Sequence, residues 1–220
     1  GDMGIGRDGN PTAHHQRDQA ESVLLAMLRG SGPRGLSGIL PRRWLGKDKA
    51  EAQGIRLIRP MLDVSAECCR EFLKQHTIAW REDHTNADVS LTRNRLRHAV
   101  LPVMRQNAGD VDAQLASLAE VQRSVAAHLA KLARKVGYAQ PRWPRAQLRS
   151  LDTCVLCEWA RTLAIKHGAS ADSIGQAALL SLARYVRSSG TDPHTFYLGI
   201  VTLRVTSHHA DIVPTPPPWD

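Results

Sequence analysis

The chain first falls into a helical rhythm at Asp18: Ala20, Val23, Leu24, Met27 and Leu28 recur at steps of three and four up to Arg29. "GSGPRGLSG" should end that helix, because Gly30 and Gly32 are C-terminal breakers and Pro33 cannot continue it. The polar, basic "PRRWLGKDKAEAQG" predicts an exposed loop, and "IRLIRPMLD" a short β-prone run closed by Pro60. "SAECCREFLKQHTI" predicts a helix opened by Ser65, and "AWREDHTNADVSLT" holds too many turn formers for regular structure. "RNRLRHAVLPVMRQN" predicts a helix, or a pair of helical turns around Pro102. The longest amphipathic run follows, with Leu115, Leu118, Val121, Val125, Leu129 and Leu132 along one stripe.

"YAQPRWPRAQ" interrupts the pattern before two further helices, "DTCVLCEWARTLAIKHG" and "SADSIGQAALLSLARYVRSSG", the second stopped by Gly190. The last forty residues then change period. "TFYLGIVTLRVTSHHADIVP" alternates and is β-branched, predicting a β-hairpin that turns near "SHHAD", and "PTPPPWD" predicts a frayed tail. The reading is an α+β, predominantly helical chain divided near residue 108. Residues 1–108 are loop-rich with short helices; residues 109–220 form a helical piece finished by the hairpin. No internal repeat is visible.

Composition narrows the function. The 220 residues carry 29 Lys and Arg against 21 Asp and Glu, a net +8, which favours a polyanionic partner, nucleic acid first. Aromatic residues are only 5%, so base stacking is not expected to dominate such a contact. No apolar run approaches the roughly 20 residues of a membrane span, and the opening "GDMGIGRDGN" has no signal-peptide core. The expectation is a cytoplasmic protein away from membranes. Cys154 and Cys157 form a C-x-x-C pair, but on helical spacing and without a second ligand pair, so two small residues on a buried helix face explain them and no metal site is predicted.

Two stretches invite chemistry. Gly4, Gly6 and Gly9 spell G-x-G-x-x-G, yet that pattern carries meaning only between a strand and a helix; with no strand ahead and Asn-Pro behind, it reads as chance. "HHQRDQAES" has two readings. In one, Asp18 is a helix N-cap and Glu21 completes a capping box. In the other, the two carboxylates share a face of the first turn beside His14 and His15, where they could hold an ammonium group or a magnesium ion on a nucleotide. Spacing alone favours the cap.

The surrounding text shifts that balance. "TAHHQRDQAESVLLAMLRGSGPRGLSGI" resembles the signature segment of the tRNA(Ile)-lysidine synthases, approximately T-x-H-x-x-D-D-Q-x-E-T-x-L-L-x-x-x-R-G-S-G-x-x-G-L-x-G. "RLIRPMLDVS", "WREDHTNAD" and "TRNRLRHAVLPVM" follow in the family's order, so four motifs fall between residues 12 and 104. The later helices and "LGIVTLRV" are similar, more weakly, to the family's small middle domain. The resemblance implies that residues 1–108 are the C-terminal part of a PP-loop α/β nucleotide-binding domain and that residues 109–220 are a helical, tRNA-facing domain. It implies ATP with Mg2+ as cofactors, and lysine and isoleucine tRNA as partners; homodimerisation is left open. The implied reaction activates C2 of the wobble cytidine with ATP and lets the lysine side-chain amine attack it.

On this resemblance Asp18 and Glu21 fall on positions tied to activation and lysine binding, and Arg93 and Arg97 on a pair of arginines suited to phosphate or adenylate charge. These four are the expected catalytic residues. His15, Asn94, Gly30 and Gly32 are the expected substrate-binding ones. Two departures stand out. Arg17 occupies the place of the family's first Asp, which predicts a cation beside the lysine site. The family's S-G-G-x-D-S loop, its His-x-His-His-Gly segment and its C-terminal RNA-binding domain are not among these 220 residues. An RNA-binding relative without ATP chemistry is therefore the second reading, and a cytidine thiolase using Cys154 and Cys157 a third.

Overall fold

A computed structural model of the protein describes residues 9–44, 56–80 and 92–214. They form two compact units, 1–123 and 124–220. The division lies inside a long helix rather than near residue 108.

The first unit holds a three-stranded sheet, β1 (Gly9–Pro11), β2 (Arg42–Trp44) and β3 (Arg56–Ile58), in the order β1-β3-β2. β1 runs parallel to β3, and β2 antiparallel to it. One expectation is corrected here. Residues 42–44 pair as a strand although their composition reads as loop, because hydrogen bonds to β3 satisfy a segment that buries little of its own. β1 starts at Gly9, the last glycine of the G-x-G-x-x-G pattern; Gly4, Gly6 and whatever precedes the pattern lie outside the described residues.

α1 (Gln16–Leu28) matches the predicted helix and ends as its glycines dictate. Gly30 takes φ +64°, its N–H bonds to the Met27 carbonyl at 2.9 Å, and the Ser31 N–H bonds to Ala26 at 2.9 Å. These paired bonds close the helix in a Schellman turn. α2 (Pro33–Leu36) follows, with Gly32 as its N-cap. α3 (Ala66–Gln75) is capped by Ser65, whose hydroxyl accepts the Cys68 N–H at 3.0 Å.

The stretch around Pro102 is helical throughout: α4 (Thr92–Arg95), a π turn (Leu96–Val100) and α5 (Leu101–Ala108). Proline has no N–H to donate, and its ring crowds the carbonyl four residues earlier; the wider turn, with Leu101 N–H bonded to Leu96, takes up that mismatch. α6 (Val111–Arg134) comes next. Ala20, Val23 and Leu24 of α1 pack with Leu96, Leu101, Val111, Leu115 and Ala119 into the core of this unit. The predicted α6 stripe is broken in the middle: Val121 is 55% exposed, since the helix serves one core with its first half and another with its second.

The second unit contains the rest of α6, β4 (Arg142–Pro144), α7 (Arg145–Arg149), α8 (Thr153–Lys166), α9 (Gln176–Arg187) and the strands β5 (His194–Leu198), β6 (Val201–Val205) and β7 (His209–Val213). The expected hairpin is a three-strand meander, extended by β4 to a four-stranded antiparallel sheet in the order β4-β7-β6-β5. Its first turn is Gly199-Ile200, with Gly199 at φ +68°. A two-residue turn of this kind inside one apolar run leaves little polar signal. Trp143 and Trp159 meet edge to face at 5.3 Å in the core, and both indole N–H groups donate to the Gly137 carbonyl.

Arg145 is the organising cation of this unit. It is buried, and its guanidinium donates to the carbonyls of Tyr185, Val186, Ser188, Gly190 and Thr206 while lying over the Tyr185 ring at 4.9 Å. Carbonyls at the end of α9 carry the helix's negative pole, which is what lets a guanidinium stay charged there without a carboxylate. Arg145→Ala is expected to lower the unfolding free energy by about 3 kcal/mol, measured by urea melts; a loss below about 1 kcal/mol would contradict this role.

Candidate active site

α1 starts two residues before Asp18. His15 is its N-cap, and Asp18, at the third helical position, accepts the His15 backbone N–H at 3.0 Å. Asp18 is therefore not the cap, and Glu21 is no capping-box partner. One turn further on, Glu21 is completely buried. Its Oε2 accepts the Arg93 Nε at 2.8 Å, and its Oε1 the Arg97 Nε at 2.5 Å, with Arg97 Nη2 closing a second bond to Oε2 at 3.0 Å. Asp18 Oδ1 stands 3.6 Å from the Nη2 atoms of both arginines. The hydrogen bond and charge of Glu21, with a smaller contribution from Asp18, outweigh desolvation and hold the Arg97 pKa above its ordinary value.

The result is a polar cleft of about 350 Å³ lined by Ala13, His14, Asp18, Arg93, Asn94 and Arg97. Arg93 remains 42% exposed and Arg97 19%, so both guanidiniums are fixed from behind by Glu21 and still reach solvent. The cleft thus presents a carboxylate and two forked cations side by side. That arrangement suits a ligand with an ammonium group next to a phosphate.

Of the residues expected from the sequence, Asp18, Arg93, Arg97 and Asn94 line the cleft, and Glu21 lies behind it. His15 serves as the helix cap with its Nδ1 3.4 Å from Asp18 Oδ2, while its neighbour His14, whose Nδ1 pairs with Thr12 Oγ1 at 2.9 Å, is the histidine in the cleft wall. The two adjacent histidines give no sequence signal as to which one faces inward. Gly30 and Gly32 shape the loop after α1 and do not line the cleft. That loop is held instead by Gln19, also absent from the sequence expectations: its buried amide accepts the Ile39 N–H at 2.7 Å and donates back to the Ile39 carbonyl at 3.2 Å. Gly38 is needed there, because it sits at φ +60° and a Cβ would come 2.7 Å from Gln19 Oε1.

Arg17 does not put a cation into the cleft. Its Nη2 lies 3.5 Å from Glu67 on α3, and Arg17 is not among the lining residues. The donor set also bears on the metal implied by the resemblance. Both Glu21 oxygens are held by guanidiniums, and no group of three His, Cys, Asp or Glu converges among the described residues. These residues do not fit a protein-held divalent ion. Cys157 is buried and its thiol pushed up to about 11 by desolvation, leaving it protonated and a poor nucleophile near neutrality, while Cys154 is exposed rather than buried.

Comparison with known proteins adds descent to this geometry. Residues 11–104 match the PP-loop domain family. The chain is 43% identical over 122 residues to the tRNA(Ile)-lysidine synthase of Alkalilimnicola ehrlichii, covering 56% of this chain and 26% of that protein. It is 44% identical over 93 residues to that of Treponema denticola, covering 42% and 18%. The relative from Symbiobacterium thermophilum is 34% identical over 159 residues, covering 72% and 28%. Over this stretch the chain is similar both to the PP-loop domain family and to tRNA(Ile)-lysidine synthases. It spans between 18% and 28% of the length of these relatives. The match to the PP-loop domain ends just past the two cleft arginines, so the lysidine synthase resemblance and the Glu21 cluster occupy the same stretch of chain. Among the described residues no helix is long and apolar enough to cross a membrane.

Two outcomes follow from the cluster. Removing the Glu21 charge leaves two guanidiniums repelling each other over a buried site, so Glu21→Gln is expected to cost about 3 kcal/mol or more of stability; an unchanged urea midpoint would contradict this. Burial, followed by the nearby Arg59, Arg93 and His15, holds the His14 pKa below 6.5 against the pull of Asp18. The unfolded chain then takes up that proton first as pH falls, so stability is full above pH 6.5 and declines below it. Urea melts at pH 7.5 and 5.5 should show that decline, and His14→Gln should reduce it; an equal decline in the variant would contradict the assignment.

Proposed function

We propose that this chain carries the carboxylate–arginine part of a tRNA(Ile)-lysidine synthase active site, for ATP-dependent ligation of lysine to C2 of the wobble cytidine of isoleucine tRNA. The observation that carries the reading is the burial of Glu21 behind Arg93 and Arg97, with Asp18 beside them in one cleft. Asp18 holds the lysine ammonium. Arg93 and Arg97 bind the phosphate of the activated cytidine and stabilise the negative charge that grows on it as the lysine nitrogen attacks and AMP departs. Glu21 acts through the arginines and is a positioning residue. Asn94 lines the same cleft, His15 caps the start of α1 that carries Asp18 into it, and Gly30 and Gly32 shape the loop beyond the far end of α1. Magnesium would enter bound to the nucleotide phosphates, since both Glu21 oxygens are held by guanidiniums and Asp18 stands beside the same two arginines. The similarity to the PP-loop domain and to tRNA(Ile)-lysidine synthases supports ATP use.

The test is ATP-dependent transfer of labelled lysine to isoleucine tRNA by the protein at the length its source expresses. Asp18→Asn is expected to raise the lysine KM about tenfold or more, the loss of a charge-assisted contact, and Arg93→Gln to lower kcat roughly a hundredfold. No transfer by the wild type would overturn the reading, and salt-sensitive tRNA binding without transfer would favour an RNA-binding relative instead.

A further inference from the structure

Both arginines that line the cleft have carboxylate partners; those on the neighbouring sheet do not. Arg42 and Arg43 lie in β2, Arg56 in β3 and Arg59 immediately after it, and among the described residues none of the four has a carboxylate within ion-pair distance. The register sorts them onto two faces. Trp44 pairs with Arg56 and Arg42 with Ile58, so Arg42, Trp44 and Arg56 share one face, where the Arg56 guanidinium lies over the Trp44 ring at 4.4 Å. Arg43 pairs with Leu57, and the Arg59 N–H bonds to Pro41, which puts Arg43 and Arg59 diagonally next to each other on the opposite face.

That second face leads toward the cleft. Arg43 acts electrostatically on Arg59, whose pKa is lowered by burial and then by this neighbour. Arg59 and Arg93 both act on His14 in the cleft wall. Arg59 is anchored by one bond from Nη1 to the Leu40 carbonyl at 2.8 Å, while its buried Nε has no partner. Like charges held this close without counter-charges destabilise the free protein slightly and favour a polyanion running past them. Ile58, next to Arg59, accepts the Thr12 N–H at 2.9 Å, two residues before His14 of the cleft wall. Neither Arg43 nor Arg59 lines the cleft, so the pair sits on the sheet that leads into it, which matches a phosphodiester strand passing the cleft better than one compact anion inside it.

We infer that Arg43 and Arg59 form a phosphate-binding track that holds the RNA strand flanking the nucleotide in the cleft. This rests on the proposed function for the identity of the RNA, and the site itself can be tested without catalysis. The probe is a stem-loop RNA carrying the isoleucine anticodon, titrated into the 220-residue chain between 50 and 200 mM salt. Two single-strand phosphate contacts contribute about 1.4 to the slope of log K against log salt, so Arg43→Gln/Arg59→Gln should lose that slope, and the wild type should weaken about sevenfold more than the variant over this range. Arg43→Gln alone, which removes no internal bond, should lose about half as much of the slope. Arg43→Lys/Arg59→Lys, keeping the charges, should restore most of it.

Arg42→Gln/Arg56→Gln, on the opposite face, should leave the slope unchanged. The track is overturned if the wild type does not bind at 50 mM salt, if the Arg43 and Arg59 variants keep the wild-type slope, or if both faces lose it equally. Displacement of the RNA by millimolar ATP at matched ionic strength would also overturn it, assigning the pair to nucleotide phosphates. Equal binding of an unrelated stem-loop would leave the track standing and count against the proposed tRNA specificity alone. Absence of lysine transfer with the slope effects intact would likewise overturn only the functional reading.

Discussion

The first unit depends on one buried carboxylate. Glu21 sits in the wall between α1 and the helical stretch 92–108, and its two oxygens take three guanidinium hydrogen bonds from Arg93 and Arg97. Burying a carboxylate without such partners would cost several kcal/mol or shift it to the neutral form. Paired in this way, it ties α1 to a segment more than seventy residues later in sequence and fixes two cations that would otherwise repel each other. Asp18, one turn earlier on α1, then stands at the open edge of the same cluster. The geometry that makes the site chemically useful is the same geometry that makes the core of this unit close.

Arginine is used in three physical settings along this chain. Arg93 and Arg97 are balanced by buried or half-buried carboxylates. Arg145 is balanced by the carbonyl ends of α9 and its following turn. Arg204 belongs with the first kind, its guanidinium pairing across strands with Asp211 at 2.8 Å. Arg43 and Arg59 have only a backbone carbonyl between them, so the basic surplus of +8 is not spread evenly as solvating charge. Those two cations lie on the sheet next to the cleft without a carboxylate partner among the described residues.

Much of this was legible in the sequence, for definable reasons. The helical period of α1, α6, α8 and α9 reports amphipathic burial directly, and Gly30 and Ser65 mark helix ends by local hydrogen-bond chemistry. The motif order places Asp18 and Glu21 in one segment of the resemblance and Arg93 and Arg97 in another, and the contacts between them join the two. What was hidden depends on long-range geometry. Strand β2 is polar and gains its structure from its partner, the Gly199-Ile200 turn lies inside an apolar run, and the choice of His14 over His15 follows from where α1 begins. Arg17 shows the same limit: a change of charge beside the motif looks decisive in sequence, yet α3 supplies Glu67 and draws the side chain away.

The claim on which the account turns is that Glu21 and the arginines act as one coupled unit, and a double-mutant cycle measures that directly. Glu21→Gln, Arg97→Gln and the combined variant would be compared by urea unfolding of the full chain. The account predicts a coupling energy of about 2 kcal/mol or more, with the double variant less damaged than the sum of the single ones. Losses that add to within about 0.5 kcal/mol would show the pair to be independent, and the cluster would cease to explain either the closing of the core or the placement of the two cations in the cleft.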